Sequence, residues 1–249
     1  MAKKIFLILT SLFIVIVVMF YGNHFGFLKT TEAPKEIREE TQKTLAKEEQ
    51  PILPGKTDDW QLLLVNSQKE IKEEPKNLKE LPNGYLVDDR IYDEFNQLME
   101  AAKKDGYELT VISAFRSVAD QKEVLASEIA MYESQGYEKS EATDLAMKYV
   151  TKPGYSEHHT GLALDVLEVN WYNEGNMLEE EFGDTEAGKW LAKNACHYGF
   201  IIRYQKGKEK LTGINYEPWH IRYVGKENAE YITDNNLVLE EYLDQLKSR

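Results

Sequence analysis

The sequence holds two of its five histidines side by side in the stretch SEHHTGLALD, residues 156–165. Asp165 closes this stretch, and a further histidine, His220, stands in NYEPWHIRY with Glu217 three residues before it. A hydrolytic zinc site needs three protein ligands from His, Asp or Glu and an open position for water. A carboxylate that does not bind the metal can take a proton from that water. These residues are therefore a complete inventory for metal-assisted hydrolysis.

Strand alternation alone does not decide which histidine of the adjacent pair is the ligand. The pair leads into LALDVLEV, residues 162–169, an apolar run typical of a strand. Successive side chains of a strand point to opposite faces, so the even spacing favours His159 as the partner of Asp165. His158 faces the same side only if the step before and at Gly161 breaks the alternation. Both histidines remain candidates on spacing.

The second half of the candidate site also needs an irregular backbone. Pro218 disfavours the α conformation for Glu217, so the Glu-x-x-His spacing up to His220 is not the helical kind. In a regular strand these two side chains would face opposite sides. A kink between them is therefore required if both are to reach one metal.

Short predicted strands and predicted helices follow one another from Trp60 onward. The apolar or β-branched runs that predict strands span 60–66, 108–115, 162–169, 200–204 and 219–225. The segments that predict helices span 90–106, 117–136, 140–154, 185–199 and 226–246. Because helices cluster between strands without a strict βαβ alternation, we expect an α+β domain. In it a small antiparallel sheet carries the zinc site and is flanked by helices.

The first 28 residues predict a short cytoplasmic end and a transmembrane helix. The run over residues 5–21 is apolar except for Thr10 and Ser11, and two lysines precede it. At about 1.5 Å per residue such a helix roughly crosses a hydrocarbon core of about 30 Å. The basic pair favours a cytoplasmic N-terminus. A cleaved signal peptide is the alternative, although the run exceeds the usual apolar region and no A-x-A site follows.

Residues 29–59 predict a charged spacer between this anchor and a domain over residues 60–249. The spacer has no aromatic residue, so it has too little apolar surface to offset its ordering entropy. We therefore expect a single-pass protein of the cell membrane whose domain lies outside the cytoplasm. A chain with one cysteine has no internal disulfide, which suits a Gram-positive envelope.

The composition excludes two classes of protein. The 249 residues are enough for one sizeable domain, and 42% are hydrophobic and 29% charged. The formal net charge is -13 and no cluster of Lys and Arg is present, which excludes ordinary binding to phosphate backbones. The single cysteine, Cys196, excludes an internal disulfide framework, and we interpret it as a small buried apolar residue.

Three ordered motifs resemble those of the zinc D-alanyl-D-alanine peptidases, the family of VanY-type carboxypeptidases and VanX-type dipeptidases. The family motif S-x-H-x-x-G-x-A-x-D is matched by SEHHTGLALD. EPWH with the flanking WHIRYVG resembles the second motif of the family. SAFRSVADQ resembles the family's upstream S-x-x-R-S element. The resemblance extends over residues 60–224, and LLLVN and PGYSEHHTG are more similar to the VanY branch.

The resemblance implies a role for each residue of the catalytic centre. It implies that His158, Asp165 and His220 hold Zn²⁺. Glu217 would be the general base that activates water, and Arg116 would stabilise the oxyanion that develops at the scissile carbonyl. An ion pair at a helix start is the alternative for Arg116.

Other residues are expected at the edges of this centre. His159 occupies a variable motif position, so we interpret it as lying beside the ligands or at the surface. Trp219 is expected to pack beside the metal. The residues expected to line the pocket for the carboxylate of the terminal D-alanine are Ser113, Gln121, Tyr155 and Ser156. For Tyr155, simple packing is the alternative.

The resemblance implies a zinc metallopeptidase that removes the terminal D-alanine from peptidoglycan stem pentapeptides or their lipid-linked precursors. The predicted helix over residues 5–21 would anchor it in the membrane. An L,D-carboxypeptidase or an endopeptidase on the same stems would use the same residues. A catalytically silent wall-binding domain would keep the fold, although it would not need Glu217 as a water activator. Any part in glycopeptide resistance would depend on genomic context.

Overall fold

The computed structural model describes residues 52–248, which form one compact unit. The predicted helix over residues 5–21 and most of the predicted spacer lie outside the described residues. Within residues 52–248, no helix combines the length and the apolar character that crossing a bilayer requires. The described part mixes helices with small antiparallel sheets, so the predicted α+β class is confirmed.

A four-stranded sheet forms the centre of the domain. Its strand order is β3-β4-β6-β5, and every neighbouring pair is antiparallel. A separate antiparallel hairpin joins β1 to β2. The strands span Leu78–Glu80 (β1), Leu86–Asp88 (β2), Leu109–Ser113 (β3), Ala163–Glu168 (β4), Phe200–Tyr204 (β5) and Glu217–Tyr223 (β6).

Helices surround this sheet. The α-helices span Tyr92–Lys104 (α1), Val118–Ser134 (α2), Lys139–Ala146 (α3), Val169–Asn173 (α4), Glu186–Asn194 (α5), Glu209–Thr212 (α6), Lys226–Asp234 (α7) and Leu239–Lys247 (α8). Short 3₁₀ turns span Trp60–Leu62, Asp89–Ile91, Glu157–Thr160, Glu180–Asp184 and Ala195–Tyr198. Ser117 caps α2 through a reciprocal hydrogen-bonded box with Asp120, which fixes where the helix begins.

The sheet is buried on both sides where β5 and β6 meet. Phe200 belongs to a large apolar cluster with α1 and α5, whereas the next residue, Ile201, packs with α7 and α8. Successive strand residues point to opposite faces, so the two clusters cover opposite sides. Trp219 lies in the first cluster and Cys196 is buried in the second. The interpretation of Cys196 as a buried apolar residue is therefore confirmed.

The predicted strand over residues 60–66 is wrong. This segment forms a 3₁₀ turn and then an extended stretch whose only ladder contact among the described residues is a bridge from Asn66 to Lys69. Its carbonyls at Gln61 and Leu63 accept instead from the Arg222 guanidinium. An arginine side chain has taken the place of a neighbouring strand.

Other element boundaries differ from the predicted ones for local reasons. The hairpin of β1 and β2 was not predicted, because strands of three residues carry too little pattern. The predicted helix over 226–246 is divided into α7 and α8, since Asn236 adopts a left-handed φ of 51° between them. The predicted helices at 90–106 and 117–136 are confirmed as α1 and α2.

The residues just before Trp60 pack onto the C-terminal helices. Leu53 is buried with the cluster of α7 and α8, and the Gly55 amide donates to the Tyr242 hydroxyl at 2.9 Å. The described fold thus already includes the last residues of the predicted spacer.

Candidate active site

Two of the predicted ligands face each other across neighbouring strands. In the pairing of β4 with β6, Asp165 lies directly opposite His220. Opposed residues of an antiparallel pair project to the same face, so the side chains meet. Asp165 Oδ1 lies 2.8 Å from His220 Nδ1. The sheet register itself assembles these two ligands.

The third predicted ligand comes from the 3₁₀ turn Glu157–Thr160 that precedes β4. Gly161 ends this turn with φ 66°, a left-handed conformation that glycine adopts without strain. The His158 Nδ1–H donates to the Ala114 carbonyl at 2.7 Å, which leaves Nε2 at 3.2 Å from Asp165 Oδ2. The turn breaks the strand alternation, so the first histidine of the pair meets Asp165.

His159 points away from the three ligands and supports the backbone around them. Its Nδ1–H donates to the Arg116 carbonyl at 2.6 Å, and its Nε2 accepts from the Gly154 amide at 3.1 Å. The residue is fully buried, so it does not lie at the surface. It joins the segment after β3 to the loop that leads into the ligand turn.

Glu217 reaches the site because β6 is irregular at its start. Ile202 pairs with Ile221 and Tyr204 pairs with Glu217, so an advance of two residues along β5 corresponds to four residues along β6. This register shift supplies the kink that the odd spacing of Glu217 and His220 requires. As a result Glu217 Oε2 lies 3.7 Å from His220 Nδ1.

The three ligand side chains form a compact, buried donor set. The ligating atoms of His158, Asp165 and His220 all lie within 4.8 Å of one another, and each residue is at most 5% exposed. Two imidazole nitrogens and a carboxylate oxygen suit Zn²⁺, and three protein ligands leave a position open for water or substrate. The residues present therefore fit zinc as the cofactor.

Burial and charge set the protonation of the groups in this site. Burial raises the pKa of Glu217 to about 8, and the positive charge of His220 opposes the rise. Burial also disfavours the charged form of His220, but the hydrogen bond to Asp165 and the nearby carboxylates of Glu157 and Glu217 outweigh it and raise the pKa to about 9. Burial opposes ionisation of Asp165 too, yet the two histidines hold its pKa well below the usual range. A divalent cation among the ligands would lower the pKa of Glu217 and of His220.

A cluster of polar side chains lies beside the donor set at the end of β3. A bulge just before Ser113 places this residue opposite Asp165. Arg116 donates to Ser113 Oγ and to Gln121 Oε1, both at 2.8 Å. Gln121 in turn donates to the Thr151 carbonyl at 2.8 Å. The guanidinium is thereby held in one orientation next to the ligands.

Ser156 and Tyr155 lie on the loop that leads into the ligand turn. The Ser156 hydroxyl accepts from the His158 amide at 3.3 Å and so caps the turn that carries a ligand. Tyr155 is half-buried and lines a cavity of about 160 Å³ together with Thr151 and Ile214. Contact of either side chain with substrate stays a prediction.

A buried ionic cluster lies behind His220 and was not predicted from the strand patterns. Glu157 Oε1 accepts from Arg203 Nε and from Arg222 Nη1, both at 2.8 Å, and none of the three side chains is exposed. The Tyr204 ring packs against the His220 ring with centroids 4.8 Å apart. A signal was present in the sequence, since each of the apolar strand runs FIIRY and WHIRY contains an arginine.

The fold and the site together define a zinc hydrolase: an antiparallel sheet presents a buried His-Asp-His set, and a buried carboxylate stands beside it. The sequence profile of the VanY family, described as D-alanyl-D-alanine carboxypeptidase, matches residues 84–226. The chain belongs to this family, which confirms the membership that the three motifs predict.

Two relatives show how far the likeness extends. The chain is 46% identical over 155 residues to YodJ of Bacillus subtilis (strain 168), a protein assigned as a carboxypeptidase, over 62% of this chain and 52% of the relative. The match thus spans about half of that relative's length. The chain is also 38% identical over 194 residues to a D-alanyl-D-alanine carboxypeptidase of Enterococcus faecalis (strain ATCC 700802 / V583), over 78% of this chain and 69% of that relative.

Two solved structures are similar as well. One is a mutant of the vancomycin-resistance D,D-pentapeptidase VanY from a VanB-type cassette, in complex with Zn(II). Its TM-score is 0.67 at 37% identity, over 74% of this chain and 99% of that one. The other is the LD-carboxypeptidase LdcB, with a TM-score of 0.62 at 39% identity, over 74% of this chain and 85% of that one.

Proposed function

We propose that the chain is a zinc D,D-carboxypeptidase that removes the terminal D-alanine from peptidoglycan stem pentapeptides or their lipid-linked precursors. One observation carries the proposal: the buried Glu217 carboxylate lies 3.7 Å from His220 Nδ1, beside a complete His-Asp-His donor set. A silent binding domain needs no such proton acceptor. Membership of the VanY family and the likeness to a D,D-pentapeptidase support the substrate class.

Glu217 is the general base of the proposed reaction. Zinc, when bound, makes a water molecule more acidic and polarises the peptide carbonyl. Glu217 takes a proton from the attacking water and returns it to the nitrogen of the leaving D-alanine. The buried carboxyl lies beside the donor set, so it can hold that proton until the amine departs.

Arg116 is the proposed donor to the oxyanion. A guanidinium has five N–H donors, and the hydrogen bonds to Ser113 and Gln121 leave others for the substrate. Its planar, permanently charged group suits an oxygen on which negative charge develops. The carboxylate of the terminal D-alanine would bind among the neighbouring polar side chains, namely Ser113, Gln121, Tyr155 and Ser156.

An L,D-carboxypeptidase is the second candidate, and the 39% identity to LdcB favours it. That reaction removes D-alanine from a tetrapeptide and needs the same base and the same ligands. The two activities differ in the configuration of the residue before the scissile bond, which is D in the pentapeptide and L in the tetrapeptide. The shape of the pocket for that residue decides between them.

Release of D-alanine tests the proposal. The full chain in mild detergent would be given a muramyl pentapeptide and, separately, the tetrapeptide, each with and without a chelator. Chelator-sensitive release from the pentapeptide is expected. Release from the tetrapeptide alone would establish the L,D activity instead, and no release by a chain that binds zinc would contradict both.

The localisation is a further part of the proposal. The apolar run over residues 5–21 and the lysines before it support a membrane anchor with the domain outside the cytoplasm. We expect the protein in the membrane fraction of its cells, with the domain digested when protease is added to protoplasts. A protein that stays in the cytosolic fraction and resists protease would contradict this localisation.

A further inference from the structure

Two buried polar atoms behind the proposed metal ligands have no hydrogen-bond partner among residues 52–248. These two unpaired atoms are Glu157 Oε2 and His220 Nε2. They face each other at 3.7 Å, which is too long for a hydrogen bond. Unpaired buried polar atoms are rare in native proteins, so a pair of them in contact calls for an explanation.

The two ring nitrogens of His220 have different roles when a metal is bound. Nδ1 lies 2.8 Å from Asp165 Oδ1 and 3.7 Å from Glu217 Oε2, on the side of the donor set. A neutral imidazole carries one proton, so a cation held at Nδ1 leaves that proton on Nε2. This N–H then faces Glu157 Oε2, the carboxylate oxygen that lies 3.7 Å away.

Glu157 is held rigidly enough to act as that acceptor. Its Oε1 accepts from Arg203 and Arg222 at 2.8 Å each, which leaves Oε2 free for His220. Arg203 is held by a bidentate contact to Glu240, at 2.9 and 2.6 Å. The carboxylate therefore has little freedom to move away from the imidazole.

The opposite side of the cluster is anchored in the same way. Arg222 Nη2 donates to the carbonyls of Gln61 and Leu63, at 3.1 and 2.6 Å, and its Nε donates to the carbonyl of Tyr223 at 3.0 Å. Apolar residues of similar volume commonly stabilise a core at least as well as a buried ion pair. The position of this ion pair directly behind His220 points to a task beyond packing.

Building on the zinc peptidase function proposed above, we propose that Glu157 is a positioning residue: its Oε2 accepts the Nε2–H of His220, which fixes the tautomer and the orientation in which Nδ1 faces zinc. Carboxylates that hold the second nitrogen of a ligating histidine raise metal affinity by about 10- to 100-fold. Arg203 and Arg222 act through Glu157 and keep the acceptor in place.

Paired substitutions separate positioning from simple stabilisation. Glu157→Gln keeps the shape of the side chain but puts an amide NH₂ group in place of the carboxylate oxygen that faces the imidazole. Glu241→Gln is the matched control, because it also removes a partly buried carboxylate from an ion pair, while its own partners are Lys208 and the Val238 amide rather than the Glu157 cluster. The readouts are the zinc dissociation constant, measured on the full chain against a chromophoric chelator, and the visible absorption spectrum of the Co²⁺ form.

Glu157→Gln is expected to weaken zinc binding by about 10- to 100-fold and to change the cobalt spectrum. Glu241→Gln is expected to leave both within about twofold of the wild type, even where both variants melt earlier. Wild-type zinc affinity and an unchanged spectrum in Glu157→Gln would overturn the proposal. An equal loss of affinity in Glu241→Gln would also overturn it.

A second variant covers the case in which Glu157→Gln does not fold. Glu157→Asp keeps the charge for both arginines but draws the carboxylate back from His220, so a folded protein with weakened zinc binding is expected. Wild-type affinity in Glu157→Asp would count against the proposal. D-alanine release by the wild-type chain, measured alongside, tests the proposed substrate separately, because zinc affinity does not depend on the peptide.

Discussion

At the scale of single residues, Glu217 stands next to the proposed zinc ligands without belonging to that donor set. Replacing it with alanine removes the proton acceptor but leaves His158, Asp165 and His220 in place. We expect turnover to fall by about 10²- to 10⁴-fold while zinc is retained. D-alanine release and metal content of the same sample check this, with the exposed Glu123→Ala as control. Normal turnover by Glu217→Ala would show that another group is the base.

The raised pKa of His220 makes zinc binding depend on pH. Below its pKa of about 9 the imidazole is protonated, so a cation at Nδ1 has to displace a proton. The apparent affinity should therefore rise by about tenfold per pH unit from about pH 6 to about pH 8, and flatten above the pKa. Calorimetry in buffers of different ionisation enthalpy measures the proton released.

A second carboxyl complicates this titration, since burial raises the pKa of Glu217 to about 8. Measuring the same pH series in Glu217→Gln removes that group and leaves the contribution of His220. An affinity independent of pH in this variant would mean that His220 is already neutral at pH 7.

At the scale of elements, the turn between His158 and β4 depends on Gly161. A Cβ there would lie 2.8 Å from the Asp88 backbone nitrogen, at a φ of 66° that side chains rarely adopt. Gly161→Ala should therefore push the hairpin of β1 and β2 away and displace His158. We expect a loss of about 1–3 kcal/mol in the free energy of unfolding, together with weaker zinc binding.

Gly136→Ala is the control for backbone strain alone. Its φ is 96°, but no atom lies within 4 Å of the position that a Cβ would take. Denaturant unfolding and zinc titration of both variants separate the two effects. Zinc binding that weakens equally in both would contradict a local role for Gly161.

At the scale of the whole molecule, the N-terminal segment of the described fold supports the buried arginines. Removal of residues 52–64 would take away the Gln61 and Leu63 carbonyls and leave the Arg222 guanidinium without two of its acceptors. We expect a chain that starts at Val65 to lose at least about 2 kcal/mol relative to one that starts at Ile52. Urea unfolding compares the two. Equal midpoints would show that Arg222 finds other acceptors.

Zinc should also stabilise the whole domain, because it binds the folded chain at residues that are separated in the unfolded one. At a free concentration about 100 times the dissociation constant, the gain is about 2.7 kcal/mol. The melting temperature should rise with zinc in the wild type and in the exposed-site control His197→Ala, but not in His220→Ala. A zinc-dependent rise in His220→Ala would place the stabilising ion elsewhere.

The sequence was most informative where chemistry depends on residue type. The His-Asp pair, the Glu-x-x-His pair and the buried helix and strand patterns lie in short segments, so the α+β class, α1, α2, β4 and β5 could be predicted. Residues 60–66 could not, since their backbone partners come from Arg222, more than 150 positions away. The hairpin of β1 and β2 was missed because its strands are too short to show a pattern.

By itself, the sequence determined the inventory of the site: two kinds of metal ligand, a base and an arginine, in an order typical of one family. Only the tertiary structure decided which atoms meet. The left-handed turn at Gly161 selects His158, the register shift of β6 brings Glu217 to His220, and the ionic cluster of Glu157 lies behind that histidine. These depend on cross-strand register and long-range contacts, which local propensity does not encode.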